Sequence, residues 1–380
     1  MRATVRRVCY LSGTRADFGL MQNALQAIAA SPGLSLDIIA CGMHLSPKFG
    51  MTVDEISKAG LRIVERIPLV DEAGTGVAMA RNMAHTLDKC VLTLARIKPD
   101  LMLLLGDRGE MLAGALAAIH LNIPIVHIHG GERSGTVDEP VRHAISKLSH
   151  FHFVATEQAQ ARLVRMGEQA EAVFLTGAPG LDGLADLAAF DRSGLCHRVG
   201  FDRDRGIALL VYHPVLQQSD QASLEVKGLL DACLAHNLQL IALRPNSDAG
   251  GDEIRSVLEK YEDRADVRIF THLPREEFVS WMAHCDVMVG NSSSGIIEAG
   301  SFGTPVMNIG ARQHLRERNS NVIDVDAQEC DMTAALGRIL AHGPYAPRNV
   351  YDAGGAAGRM AELLSALDIS PAVLRKANAY

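Results

Sequence analysis

Residues 100–143 read DLMLLLGDRGEMLAGALAAIHLNIPIVHIHGGERSGTVDEPVRH, and the fold is best argued from this stretch. One apolar run, Leu101–Leu105, stops at Gly106 and gives way at once to Asp107, Arg108 and Glu110. A second, Ile123–Ile128, stops at His129, Gly130, Gly131 and Glu132, with Asp138, Glu139, Arg142 and His143 close behind. Short continuous apolar runs separated by helix-length segments predict parallel strands buried on both faces. In such sheets ligands sit beyond the carboxyl ends of the strands. Asp107, Arg108, Glu132 and Asp138 fall at that edge. Carboxylates beside an arginine and histidines suit proton transfer next to an anionic substrate.

The same alternation extends in both directions. Before the stretch, Val5–Leu11, Leu36–Cys41 and Leu61–Ile67 read as strands, with a long amphipathic helix ending near Ile97, at Lys98-Pro99. After it come a helix from about Val137 to Ser149 and strands at Phe151–Ala155 and Ala172–Thr176. This is the pattern of one doubly wound domain. TGAPGLDG (176–183) separates it from a second half with strands at Ile207–Tyr212, Leu238–Leu243, Val267–Phe270, Asp286–Gly290 and Pro305–Ile309. The expected organisation is therefore residues 1–180, residues 181–355, and a C-terminal segment 356–380 whose helix packs back on the first domain.

Composition narrows the class. A chain of 380 residues with 48% hydrophobic and 21% charged residues is a soluble globular protein of about two domains. A formal net charge of −7 argues against general nucleic-acid or polybasic membrane binding, so an anionic ligand must meet a local basic site. The seven cysteines (9, 41, 90, 196, 233, 285, 330) form no CxxC pair and read as buried thiols of a reducing compartment. The apolar run behind Arg2, Arg6 and Arg7 is too short for a signal peptide, and the expectation is a cytoplasmic protein.

Several strand ends carry polar residues. SGTRADFG (12–19) stands where a nicotinamide-binding fold would show GxGxxG, and it places Arg15 there instead, as an anion contact or a solvated turn arginine. In the second half His213 follows the first strand, Arg244 and Asn246 the second, and GNSSSGIIEAG (290–300) the fourth. Asn291–Gly295 form a small-residue turn that either holds a phosphate or merely caps a helix. Glu298 is expected on the first turn of that helix, in reach of a ribose diol, and Arg312 adds a second charge. His127 and His129 alternate along a strand as metal ligands can, but no HxxxH or Cys partner follows, so no metal is expected.

GTRADFG, GDRGE, HIHGGERSGTVDEPVRHAISKLSH, YHP, RPNSDAG and GNSSSGIIEAGSFGTPVMNIGARQ together resemble the hydrolysing UDP-N-acetylglucosamine 2-epimerases, in the same order and spacing. The resemblance implies a GT-B-like fold, two Rossmann-like domains with the nucleotide sugar in the cleft between them. It implies conversion of UDP-N-acetylglucosamine to N-acetylmannosamine and UDP, by elimination to a 2-acetamidoglucal and then hydration, in sialic-acid biosynthesis. A related group with the same motifs acts on UDP- or GDP-N,N′-diacetylbacillosamine for legionaminic-acid synthesis, which stands as the alternative. No cofactor is implied, and a homo-oligomer, dimer or tetramer, is.

Carried over by position, Asp107, Glu132 and Asp138 match acid/base carboxylates, and His213 matches a cleft histidine. Arg15, Arg108, Asn246, Ser292, Ser293, Glu298 and Arg312 match nucleotide or diphosphate contacts, and His272 a position acting through its backbone. Non-hydrolysing epimerases have Glu-Ala-Gly where this chain has His129-Gly130-Gly131, which favours hydrolysis. The loop 42–52 and Thr75–Met79 are the expected sites of sugar selection. A GT-B glycosyltransferase would share the nucleotide half but have little use for three clustered carboxylates. A non-catalytic nucleotide-sugar sensor could dispense with Asp107 or Glu132.

Overall fold

The computed structural model describes residues 5–136, 138–216, 221–327 and 329–380; the side chains of Glu329 and Cys330, and all of Val137, lie outside the description. Among the described residues thirteen strands form two sheets, and every pairing is parallel. The first contains β1 (Arg6–Ser12), β2 (Leu34–Gly42), β3 (Ile63–Pro68), β4 (Leu101–Leu105), β5 (Ile125–Ile128), β6 (Phe151–Val154) and β7 (Val173–Leu175), ordered β3-β2-β1-β4-β5-β6-β7. The second contains β8 (Ile207–Val211), β9 (Gln239–Leu243), β10 (Val267–Phe270), β11 (Val287–Gly290), β12 (Val306–Ile309) and β13 (Val322–Val325), ordered β10-β9-β8-β11-β12-β13.

Successive residues of a strand point to opposite faces, and here both faces are covered. Val8, Tyr10, Leu101, Leu103 and Leu105 enter one core of the first sheet, while Cys9, Leu11, Met102 and Leu104 enter the other. The C-terminal helix Ala356–Ala366 contributes Ala357, Met360, Ala361 and Leu364 to the first of these cores. Arg6 fastens it by donating to the carbonyl oxygens of Leu364 and Leu367. Six cysteines (9, 41, 90, 196, 233, 285) are buried free thiols. Among the described residues no helix is long and apolar enough to cross a membrane.

Strand order reverses between β1 and β4 in one sheet and between β8 and β11 in the other. Such reversals open a crevice at the carboxyl edge, because the connections on either side leave in opposite directions. Arg15 and Asp107 follow β1 and β4, and His213 and Asn291 follow β8 and β11.

Two differences from the expected elements have simple causes. The fifth strand begins at Ile125, not Ile123, because Pro124 has no N–H for the ladder. The edge strand β13 was not foreseen: four residues long and only half-buried, VIDV carries no continuous apolar run.

Candidate active site

A cavity of about 290 Å³ lies between the two carboxyl edges. Asp107, Glu132, Asp138, His213, Arg15, Arg108, Asn246, His272, Ser292, Ser293, Glu298 and Arg312 all line it, so the structure gathers every candidate residue at one place.

The first-half wall of the cavity is set by local backbone. Helix Arg15–Ala30 starts with a capping box: Thr14 Oγ1 accepts from the Asp17 N–H at 3.1 Å, and Asp17 Oδ2 accepts from the Thr14 N–H at 2.7 Å. Such a cap stabilises a helix start by about 1 kcal/mol, and it fixes Arg15 as the first helical residue. After β5 the chain turns through His129 at φ 61° and Gly131 at φ 76°. A Cβ on Gly131 would sit 2.5 Å from the Ala159 carbonyl oxygen, so only glycine fits. One on Gly130 would meet His127 Nδ1 at 2.8 Å and Ser146 Oγ at 3.0 Å. Those two atoms are hydrogen-bonded at 2.9 Å, and His127 Nε2 donates to the Gly106 carbonyl at 2.7 Å. The glycine pair thus lets a buried histidine tie β5 to the loop that carries Asp107.

Each carboxylate has a different setting. Asp107 Oδ2 is paired with Arg142, whose side chain is 1% exposed. Burial, then the nearby Arg312, lower the pKa of Arg142 to about 9, so it remains a cation at neutral pH and needs this counter-ion. Glu132, 4% exposed, is held at both oxygens, by His129 Nδ1 and by Arg316. Asp138 opens the helix Asp138–Leu148; its Oδ2 accepts from Thr136 Oγ1 at 3.2 Å and lies 4.0 Å from Arg312 Nη2. Among the described residues the Oδ1 atoms of Asp107 and Asp138 take no hydrogen bond.

The opposite wall and the links across the cleft are basic. Arg15 Nη1 donates to His272 Nδ1 at 2.7 Å and to the Thr271 carbonyl at 3.3 Å, and His272 Nε2 meets Glu55. The His272 imidazole thus bridges two first-half side chains across the cleft. Arg108 meets Glu110 at 3.3 Å and Asp248 at 3.2 Å. Burial opposes its charge, but these carboxylates outweigh burial and raise its pKa. It serves as a strut between the halves. Arg312 donates to the Asn291 carbonyl at 2.9 Å, and Asn246 donates to Asp248 at 2.6 Å.

The serine turn needs correction. The helix after it, Ser293–Ile297, is only five residues long. Ser292 Oγ caps it, accepting from the Ser294 N–H at 3.3 Å. Glu298 lies at the C-terminal end of this helix, not on its first turn, and is buried against Arg275. It still faces the cavity. His213 is half-buried, its backbone held by Asn291 from both sides at 2.8 Å. Burial, then Arg312, lower its pKa to about 3, so the ring is neutral.

Sequence reading did not assign roles to Arg142, His129, Arg275 or Arg316, which also line the cavity. His129 enters the sequence reading as a possible metal ligand and as part of the His129-Gly130-Gly131 run that favours hydrolysis, with no catalytic role of its own. Among the described residues no group of His, Cys, Asp or Glu is placed to hold a metal ion.

A doubly wound pair of domains with a carboxylate wall facing a basic wall defines a nucleotide-sugar enzyme of the GT-B-like class. The UDP-N-acetylglucosamine 2-epimerase family matches residues 26–365. A UDP-N,N′-diacetylbacillosamine 2-epimerase (hydrolyzing) of Legionella pneumophila is 48% identical over 99% of this chain and 100% of its own length. A UDP-N-acetylglucosamine 2-epimerase of Neisseria meningitidis is 32% identical, covering 92% of each chain. Among solved structures, the S. aureus MnaA–UDP co-structure superposes with TM-score 0.79 at 18% identity, covering 94% of this chain and 96% of that one. A UDP-GlcNAc 2-epimerase from Neisseria meningitidis bound to UDP-GlcNAc gives TM-score 0.79 at 18% identity, with 94% and 99% coverage. The chain belongs to the hydrolysing UDP-N-acetylglucosamine 2-epimerase family.

Proposed function

We propose that this chain acts on UDP-N,N′-diacetylbacillosamine, the second of the two substrates its motifs leave open, releasing UDP and the C2 epimer of the free sugar. The observation that carries this is the 48% identity, end to end, with the Legionella enzyme of that name, against 32% with the N-acetylglucosamine enzyme. Local shape supports it. The second acetamido group needs room for a methyl and an amide, and a small cavity of about 60 Å³ beside Asp138 is lined by Leu69, Met79 and Met83 together with polar residues such as Asn82 and Ser247.

The proton on C2 is not acidified by a carbonyl, so its removal must accompany departure of the diphosphate from C1. A carboxylate with a free oxygen, Asp107 or Asp138, takes that proton as the C1–O bond breaks and its electron pair leaves with UDP. Arg312, with the hydroxyls of Ser292 and Ser293, holds the already charged diphosphate before and after the C1–O bond breaks. Addition of water to C1 and a proton to C2 of the resulting glycal completes the reaction.

Purified protein incubated with UDP-N,N′-diacetylbacillosamine, its GDP counterpart and UDP-N-acetylglucosamine, with NMR of the released sugar, tests the assignment. The expected result is fast turnover of the first and at least about tenfold lower kcat/KM on the last, the discrimination one subsite can supply. Faster turnover of UDP-N-acetylglucosamine would overturn it.

A further inference from the structure

Glu132 is buried, its side chain 4% exposed, with Oε1 against His129 and Oε2 in an ion pair with Arg316. One of its two partners is different. His129 Nδ1 bonds to Glu132, while His129 Nε2 is buried, has no hydrogen-bond partner among the described residues, and belongs to a ring that lines the cavity. A carboxylate can only accept, so Nδ1 carries the ring proton and Nε2 presents a lone pair. The residue also sits at φ 61°, a backbone region that non-glycine residues occupy at a cost and that clusters at functional sites.

We propose that His129 is a catalytic base of the hydration step, oriented and polarised by Glu132, which is a positioning residue. This rests on the elimination–hydration reading above. As the water oxygen bonds to C1 of the glycal, one water O–H bond breaks and its proton passes to Nε2. The carboxylic acid formed in the elimination gives its proton to solvent, and the other of Asp107 and Asp138 takes a proton from solvent. The C1=C2 electron pair takes that proton at C2 from the opposite face. Glu132 stabilises the imidazolium that results, and Arg316 balances Glu132 before and after. Burial, then Arg316, hold the ring neutral, with a pKa lowered to about 3. A neutral ring with a bare Nε2 can take a proton from water, and removal of the carbon-bound proton falls to other groups. Asp107 and Asp138, with free Oδ1 atoms, remain for that step.

The test is His129→Asn, chosen because asparagine tolerates positive φ. Time-resolved NMR follows UDP release, the glycal and the free sugar with whichever nucleotide sugar the wild type turns over; UDP affinity is measured by calorimetry. The expected result is UDP release within about threefold of wild type, glycal accumulation, and free sugar formed about 10²-fold more slowly. Glu132→Gln is expected to accumulate the same glycal with UDP affinity unchanged, a signature that mere loosening of the fold would not give. Equal loss of UDP release and sugar formation, without glycal, would overturn the proposal, as would unchanged kinetics. Should His129→Asn lose UDP binding, Glu132→Gln alone decides by the same criteria. If the wild type forms no epimer from any of the three nucleotides, the functional reading fails first and separately.

Discussion

Arg142 reaches from the middle of the Asp138–Leu148 helix to the Oδ2 of Asp107, joining that helix to the loop at the carboxyl edge of the first sheet. The pair leaves Oδ1 of Asp107 to act and fixes where it points. Asp107→Asn is therefore expected to lower kcat by about 10²–10⁴-fold, with KM and UDP affinity nearly unchanged. Arg142→Met leaves a carboxylate without its counter-ion, and should cost about 3 kcal/mol of stability, read from denaturant unfolding. An Asp107→Asn enzyme with raised KM and intact kcat would remove Asp107 from the acid/base set.

Arg312 bridges the Asn291 turn and the neighbourhood of Asp138, which places it to bind the diphosphate in the proposed reaction. Arg312→Ala is expected to raise KM and weaken UDP about tenfold or more, leaving kcat within a few-fold, since a contact made equally in ground and transition states affects KM alone. Steady-state kinetics with UDP calorimetry separate the two.

How much of this was readable beforehand depended on whether the signal was local. Leu101–Leu105 running into Asp107, or Ile207–Val211 running into His213, announces a buried strand and its functional edge in a handful of consecutive residues. The Arg142–Asp107 pair spans 35 positions, and nothing in either segment names the other. Arg316 lies in an irregular loop with no period, so its approach to Glu132 has no sequence signature. His129 was visible, but as an alternating histidine it suggested a metal ligand; its positive φ and bare Nε2 exist only in three dimensions. Glu298 was misplaced because helix length, unlike helix start, is poorly marked when the next residues are Ala-Gly-Ser.

Stability should fall as the solution is acidified. His127 and His129 are buried and neutral, burial being the main cause that lowers each to about 3. The unfolded chain protonates these rings near pH 6.5, whereas the folded chain does not, so their contribution is full above that value and is lost as pH falls toward 3. Each contributes a slope of about 1.4 kcal/mol per pH unit in that window. Calorimetric unfolding at pH 7 and pH 5 should show a clear drop in Tm for the wild type and a smaller drop for His127→Gln.

The small cavity beside Asp138 predicts where sugar choice can be changed. Met79→Trp fills it, and should cut kcat/KM on the diacetamido sugar by about tenfold or more while sparing UDP affinity. UDP-N-acetylglucosamine, with no second acetamido group to place, should be affected less. Equal losses on both sugars would move the selecting subsite elsewhere.

The central claim is that the C2 proton is lost to a carboxylate and replaced from solvent. The most direct test is turnover in D₂O, with the released sugar examined by NMR at C2, and in ¹⁸O-water, with its C1 oxygen examined by mass spectrometry. The account predicts one deuterium at C2 and ¹⁸O at C1, introduced as the product forms. Epimerised sugar that retains protium at C2 would contradict it.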